Sequence, residues 1–312
     1  RQMCIRDSTI IGGLAGDALT TGARNVAIGY QALSAEDADG KNVAIGYSAL
    51  LLQNAGTDAF NVAIGYEAGQ AVTTGFKNII IGGNAGNSLT TGSSNIAIGT
   101  FALAAEDAHG RNVAIGFKAL EDQNAGADAY NIAIGYEAGN DITTGIRNTL
   151  MGGLSGDAIT TGSYNVTLGM QALSSETGGS KNVALGTGAL ELLNVNADGH
   201  NVAIGYIAGQ DVSTGLKNTI IGGLAGNSGS NDLTTGDNNI IIGFNASASA
   251  AGVDNEITLG DANISAFRCA DQSIAALSDG RDKTNIKDSS FGLDFIDSVS
   301  YTHLTLPTSH NV

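Results

Sequence analysis

The chain has 312 residues, a formal net charge of −16, 45 glycines, one proline and no tryptophan. This excess of negative charge disfavours nucleic acids and anionic membrane surfaces as partners. No segment approaches the apolar length of a membrane span, and no signal peptide is visible. We therefore expect neither nucleic-acid binding nor membrane insertion from this sequence.

The two ends of the chain do not share the pattern of the rest. Residues 1–8 read RQMCIRDS and residues 300–312 read SYTHLTLPTSHNV. Both resemble translated adapter read-through at the ends of assembled DNA, and we expect them to be non-native segments, with a native chain that continues past both. Without them Cys269 is the one remaining cysteine, so neither a disulfide nor a zinc framework is expected.

Residues 9–260 repeat a five-residue phrase, Asn-Val-Ala-Ile-Gly, with small variations. Successive phrases are 17 or 19 residues apart until a last step of 21, and a module of four coils recurs every 70 residues. Such repetition is typical of a solenoid. The asparagines that open the phrases are Asn25, Asn42, Asn61, Asn78, Asn95, Asn112, Asn131, Asn148, Asn165, Asn182, Asn201, Asn218 and Asn239.

The alternation inside each phrase is typical of a short strand with one face inward. We expect Val26 and Ile28 to point into the coil, Ala27 to point outward and Gly29 to end the strand. Seventeen residues are too few for a strand, a helix and their loops. The sequence therefore predicts an all-β fold, a parallel β-helix or β-roll of about 14–15 coils stacked about 4.8 Å apart.

Three rows of residues follow from this stacking. We interpret the asparagines as a structural ladder, because in-register amides bond to their neighbours above and below more often than they bind a ligand. The aromatic residues that often follow the strand, such as Tyr30 and Tyr47, would either pack at a corner or stack on sugars, and interruptions such as Gly83 favour packing. Seven basic residues that precede ladder asparagines, such as Lys41, are expected to relieve repulsion from the acidic loops.

The phrase Asn-Val-Ala-Ile-Gly-x-x-Ala resembles the head repeats of trimeric autotransporter adhesins, and the resemblance covers about four fifths of the chain. Those heads are left-handed parallel β-rolls packed three around an axis. The resemblance implies a homotrimer, in agreement with the small apolar surface that each thin coil can bury alone. The coils of this chain are slightly longer, so the handedness of the coil stays open.

Residues 261–277 form a predicted neck, and residues 278–299 begin Ser-Asp-Gly-Arg-Asp-Lys-Thr-Asn-Ile. This beginning resembles the intramolecular chaperone auto-processing domain of phage tail fibres and endosialidases, with Ser278, Asp279 and Lys283 at the motif positions. The resemblance implies that the serine is the nucleophile, the lysine its base, and the bond after Leu277 the one cut. Taken alone, the stretch is also ordinary loop composition. Because the domain is cut short, we expect neither self-cleavage nor chaperone activity from this chain.

The leading interpretation is a structural and adhesive shaft of a phage tail fibre or related receptor-binding protein. Such a shaft would be part of the virion and would bind a host surface receptor, with glycans among the candidates. The alternative is a trimeric autotransporter-type adhesin on a bacterial cell surface. A glycan-degrading tailspike is a weaker interpretation, because carboxylates such as Glu67 and Glu137 recur with the repeat, whereas a catalytic acid pair is normally singular. We therefore expect no enzyme activity from the shaft.

We also expect no cofactor and no metal site. The acidic loop that contains Glu36 and Asp39 would hold calcium only weakly. Threonine pairs are missing from about half of the coils, which argues against an ice-binding face. Residues 53–58 and 229–232 vary between coils and are candidate receptor contacts.

Overall fold

The computed structural model describes residues 7–38, 40–229, 231–266 and 268. The chain divides into two compact units, Arg1–Ile264 and Ser265–Val312. In the second unit only residues 265, 266 and 268 are described. The fold of the first unit is considered below.

Each coil contributes one three-residue strand to a single parallel sheet of 15 strands, which follow one another in sequence order. The strands are β1 (Thr9–Ile11), β2 (Val26–Ile28), β3 (Val43–Ile45), β4 (Val62–Ile64), β5 (Ile79–Ile81), β6 (Ile96–Ile98), β7 (Val113–Ile115), β8 (Ile132–Ile134), β9 (Thr149–Met151), β10 (Val166–Leu168), β11 (Val183–Leu185), β12 (Val202–Ile204), β13 (Thr219–Ile221), β14 (Ile240–Ile242) and β15 (Ile257–Leu259). The described residues contain no α-helix. The predicted all-β parallel solenoid is confirmed.

The register of the sheet pairs equivalent residues of successive phrases. Val26 pairs with Val43, one 17-residue step away. The same register holds across the 21-residue step, where Thr219 pairs with Ile240. The extra residues of the longer coils therefore lie in the loops and leave the stacking of the strands unchanged.

The direction of the strand side chains is opposite to the expectation from sequence. Ala27 is fully buried inside the coil, whereas Val26 and Ile28 are only half-buried on the outer face. The prediction that Val26 and Ile28 point inward is therefore wrong. The interior of such a short coil is narrow, and Leu33 from the following turn fills it. A small residue is thus favoured at the centre of the strand.

Larger residues enter the strand centre only where an adjacent coil makes room. Ile80 is fully buried at the centre of β5 and contacts Gly69 of the preceding coil. A Cβ atom at Gly69 would lie 2.8 Å from the Cδ1 atom of Ile80. The arrangement recurs 70 residues later, where a Cβ atom at Gly139 would lie 2.7 Å from Leu150. The 70-residue period is therefore a period of core packing.

The glycine after each strand allows close contact between coils. Gly99 has a φ of +136°, and a Cβ atom there would lie 2.2 Å from the carbonyl oxygen of Gly116 in the next coil. Only glycine tolerates both the backbone angle and the contact. The strict glycine at this point of the repeat follows from the stacking distance.

The assignment of inner and outer faces can be tested in β7. Replacing Ala114 by Leu adds three carbon atoms to a filled interior, and we expect the free energy of unfolding to fall by about 1–3 kcal/mol. Val113→Thr is the matched control, because the equivalent outer position of β9 is Thr149, and we expect a change below about 1 kcal/mol. Guanidinium unfolding followed by circular dichroism measures both. A costly Val113→Thr and a neutral Ala114→Leu would contradict the assignment.

Candidate functional site

All thirteen ladder asparagines are fully buried, and their side chains join successive coils. The Oδ1 atom of Asn25 accepts the backbone N–H of Asn42 at 2.9 Å, and that of Asn61 accepts the N–H of Asn78 at 2.9 Å. The contact persists across a 19-residue step, where the Oδ1 atom of Asn112 accepts the N–H of Asn131 at 3.1 Å. The ladder therefore runs mainly from side chain to backbone.

The other end of the amide closes the coil. The Nδ2 atom of Asn61 donates to the carbonyl oxygen of Gly75 at 2.7 Å, and that of Asn78 donates to Gly92 at 2.9 Å. Asn148 and Asn165 make the same bond 14 residues ahead. Since these amides use both their donor and their acceptor within the protein, their role is structural.

The row of basic residues is neutralised within the rod. Lys41 forms an exposed ion pair with Asp58 of the next coil, and equivalent pairs recur at Arg111 with Asp128 and at Lys181 with Asp198. These cations contact aspartates of the following coil. Exposed pairs of this kind contribute little stability, and the row offers few free cations for a ligand.

The aromatic residues stack along one corner of the solenoid. Tyr47 lies between Tyr30 and Tyr66, with ring centroids 5.6 Å and 5.2 Å apart and nearly parallel planes. Phe117 and Tyr136 form a second stack at 5.5 Å. Because neighbouring rings cover one another's faces, the faces that a sugar would need are occupied. This geometry favours the packing interpretation.

The outer side of the 15-stranded sheet, formed by the first and third residues of each strand, is an apolar face. Its first position holds Val, Ile or Thr in every strand. Its third position is aliphatic throughout: Ile11, Ile28, Ile45, Ile64, Ile81, Ile98, Ile115, Ile134, Met151, Leu168, Leu185, Ile204, Ile221, Ile242 and Leu259. No charged residue interrupts either position. An uninterrupted apolar surface of this kind marks an interaction site.

Sequence reasoning missed this apolar face, because it assigned the branched residues to the interior. It also missed a row of buried carboxylates. Glu36, Glu106 and Glu176 are fully buried, although acidic residues in such loops were expected to be solvated. The available signal was a glutamate six residues before a ladder asparagine, repeated every 70 residues.

A second group of acids is only partly buried. Burial is the main cause that raises the pKa of Asp157 to about 6, and repulsion from Asp141 and Glu137 acts in the same direction, while backbone N–H groups oppose the shift. Burial and the charge of neighbouring acids also raise the pKa of Asp141. This acidic cluster therefore opposes its own full ionisation at neutral pH.

The predicted site residues divide between described and undescribed parts of the chain. Ser278, Asp279 and Lys283 of the cleavage motif lie outside the described residues. Within the candidate receptor segment 53–58, Gln53 is buried, and its Oε1 atom accepts the Nδ2 donor of Asn61 at 2.7 Å. The solvent-facing part of that segment starts at residue 54.

No protein-family model, curated protein or solved structure matches this chain. Within the described part of the chain, no helix has the length and apolarity needed to cross a bilayer. The geometry of the rod, with its apolar face and internal ladder, is therefore the basis for its function.

The ladder predicts a large penalty for truncating one amide. Asn78→Ala leaves the N–H of Asn95 and the carbonyl of Gly92 without their partners, and buried polar groups without partners cost about 1–3 kcal/mol each. We expect a loss of about 2–4 kcal/mol in the free energy of unfolding. Asn54→Ala, at an exposed loop position, is the control and should change it by less than about 0.5 kcal/mol. Equal effects in guanidinium unfolding would contradict a structural ladder.

The raised pKa of Asp157 predicts stability that falls with rising pH. Between the ordinary value of 3.8 and about 6, the folded chain holds a proton that the unfolded chain has released, so the contribution of this group decreases as pH rises through that window. We expect Asp157→Asn to melt increasingly above the unsubstituted chain between pH 4 and pH 7. Asp17→Asn, at an exposed aspartate, is the control. A constant difference in melting temperature across the window would rule out the effect.

Proposed function

We propose that this chain is the structural and adhesive shaft of a phage tail fibre or a related receptor-binding protein, that it works as a homotrimer, and that it belongs to the virion and attaches to a host cell surface. The observation that carries the proposal is the apolar sheet face along the whole solenoid. An isolated rod in water would leave these aliphatic side chains exposed, as at Leu168, which is 53% exposed, and Ile257, which is 66% exposed.

The size of the face suits association between copies of the chain. Fifteen strands at about 4.8 Å spacing and about 10 Å of strand length give a strip of roughly 700 Å². A standard interface buries about 800 Å² per partner. The strip lacks charges that would select a partner of opposite sign, so an identical strip is a suitable occupant.

The number three comes from the resemblance of the repeat to trimeric adhesin heads. A strip one short strand wide can meet two identical strips around a common axis, which removes the apolar side chains of all three copies from water. The ladder and the close glycine contacts make each copy stiff along its length. A stiff, inert and elongated assembly is suited to holding a receptor-binding tip away from a particle.

The alternative is a trimeric surface adhesin of a bacterium. The repeat itself favours it, since Asn-Val-Ala-Ile-Gly-x-x-Ala is similar to the heads of such adhesins. The motif at Ser278 favours the tail fibre, since it resembles a chaperone domain of phage fibres. The complete gene and its neighbours distinguish the two, through either a membrane anchor or adjacent tail genes.

The assembly and the attachment can be tested together. We expect sedimentation equilibrium to give three times the chain mass of 31.3 kDa, and the labelled trimer to bind cells from a panel of bacterial strains. Substituting Ile98 and Ile115 by Lys places charges in the apolar face, and we expect a monomer. Losing threefold attachment should weaken cell binding by about 100-fold or more.

Ser88→Lys, at an exposed loop position, is the matched control and should remain a trimer. A monomeric unsubstituted chain would contradict the assembly. A trimer that binds no strain would contradict adhesion and leave a purely structural shaft. Release of oligosaccharides from cell-surface polysaccharide by the trimer would instead favour the tailspike interpretation.

A further inference from the structure

The acidic loops of the three modules provide an internal comparison. Glu36, Glu106 and Glu176 occupy the same position, and each is fully buried. Such a carboxylate requires partners, because burying a charge without compensation is costly. The three loops differ in how they provide these partners.

In the third module the protein itself satisfies the carboxylate. The Oε1 atom of Glu176 accepts the backbone N–H groups of Thr177 at 2.9 Å and Gly179 at 2.6 Å. Its Oε2 atom accepts the N–H of Val195 at 3.1 Å. In the first module the Oε2 atom of Glu36 accepts the Nδ2 donor of Asn42 at 3.4 Å. Both loops therefore supply donors from their own chain to this oxygen.

The middle module is different. The Oε1 atom of Glu106 accepts the backbone N–H of His109 at 3.1 Å. Its Oε2 atom has no hydrogen-bond partner among the described residues, and neither does the Nδ1 atom of His109. The side chain of Glu106 is 0% exposed. A fully buried carboxylate oxygen and an imidazole nitrogen thus remain unsatisfied in the same loop.

These two side chains form a cluster with a third. One ligand atom each from Glu106, Asp107 and His109 can be chosen so that all lie within 4.8 Å of one another. Asp107 is exposed and His109 is half-buried, so the cluster is open to solvent on one side. An ion could enter from that side without unfolding the coil.

The backbone of this loop is held in place by the adjacent coils. The Nδ2 atom of Asn95 donates to the carbonyl oxygen of His109 at 3.2 Å. The backbone N–H of Gly110 donates to the Oδ1 atom of Asp128 at 3.1 Å. The ladder therefore positions the histidine before any ligand arrives, which reduces the ordering cost of binding.

We propose that Glu106, Asp107 and His109 bind a divalent first-row transition-metal ion, for which zinc is the suitable probe. An imidazole nitrogen together with two carboxylate oxygens is a ligand set that zinc accepts, whereas calcium and magnesium prefer oxygen ligands. Three protein ligands leave a fourth position for water. The net charge of −16 favours the approach of a cation.

The competing explanation needs only the protein and a proton. Burial raises the pKa of Glu106, and a protonated carboxyl group would donate to the free imidazole nitrogen. The Nδ2 atom of Asn112, also without a partner among the described residues, would then move slightly toward Glu106, as Asn42 does toward Glu36. This arrangement leaves no role for Asp107, whereas a bound cation uses all three side chains.

The other two modules indicate that the site occurs once in the repeat. Gly179 stands where the middle module has His109, and Thr177 stands where it has Asp107. The first module has Asp39 in place of the histidine. The nitrogen ligand is therefore specific to the middle module, and we expect one zinc ion per chain from this loop.

Equilibrium dialysis and calorimetry with zinc test the proposal on the full chain. We expect Glu106→Gln and His109→Ala each to bind one zinc equivalent less, or to bind that equivalent at least about 100-fold more weakly. His200→Ala, at an exposed loop histidine of the third module, is the matched control. Asp37→Asn controls for the equivalent acid of the first module. Both controls should retain full binding, and the terminal histidines are common to every variant.

The metal-free melting temperature of each variant separates loss of the site from loss of the fold. Zinc should raise the melting temperature of the unsubstituted chain and of both controls, because it binds the folded state. It should raise that of Glu106→Gln less. The proposal is overturned if all variants bind the same number of zinc ions with the same affinity, since binding would then belong to other groups.

Discussion

The narrow interior of the coil is the constraint on which the rest of this structure depends. A 17-residue coil has room for one small strand residue and one side chain from the turn, so apolar burial inside a single copy is limited. Hydrogen bonds must then hold the coils together. The ladder asparagines do this by accepting one backbone N–H and donating to one carbonyl in most coils, which satisfies groups that would otherwise be buried without partners.

The same constraint explains the chemistry of the surface. Because the interior accepts alanine at the strand centre, the branched residues at the first and third strand positions are directed outward, where they give the sheet high β-propensity. The result is a rod with an apolar strip along its length. A fold that is satisfied along its axis is therefore left unsatisfied at its side, and association with identical copies resolves this.

The sequence predicted the architecture well because spacing is a direct record of stacking. The steps of 17, 19 and 21 residues required equivalent residues to align, and the register of Thr219 with Ile240 shows this. Strand alternation alone, however, states that two faces differ and leaves open which face is inward. The burial of Glu106 was equally inaccessible, because a glutamate beside aspartate in a Gly-rich loop has the composition of a solvated turn. Its environment depends on donors from neighbouring coils.

The constancy of that register also bears on how such a rod can change. Since extra residues are placed entirely in loops, a coil can be lengthened without altering the pitch or the orientation of the coils beyond it. The longest step, between Asn218 and Asn239, includes Gly229 and Asp232 in such an enlarged loop. Grafted peptides at the loops would therefore be displayed at fixed heights along a rigid scaffold, and new contacts could evolve at one level independently of all others.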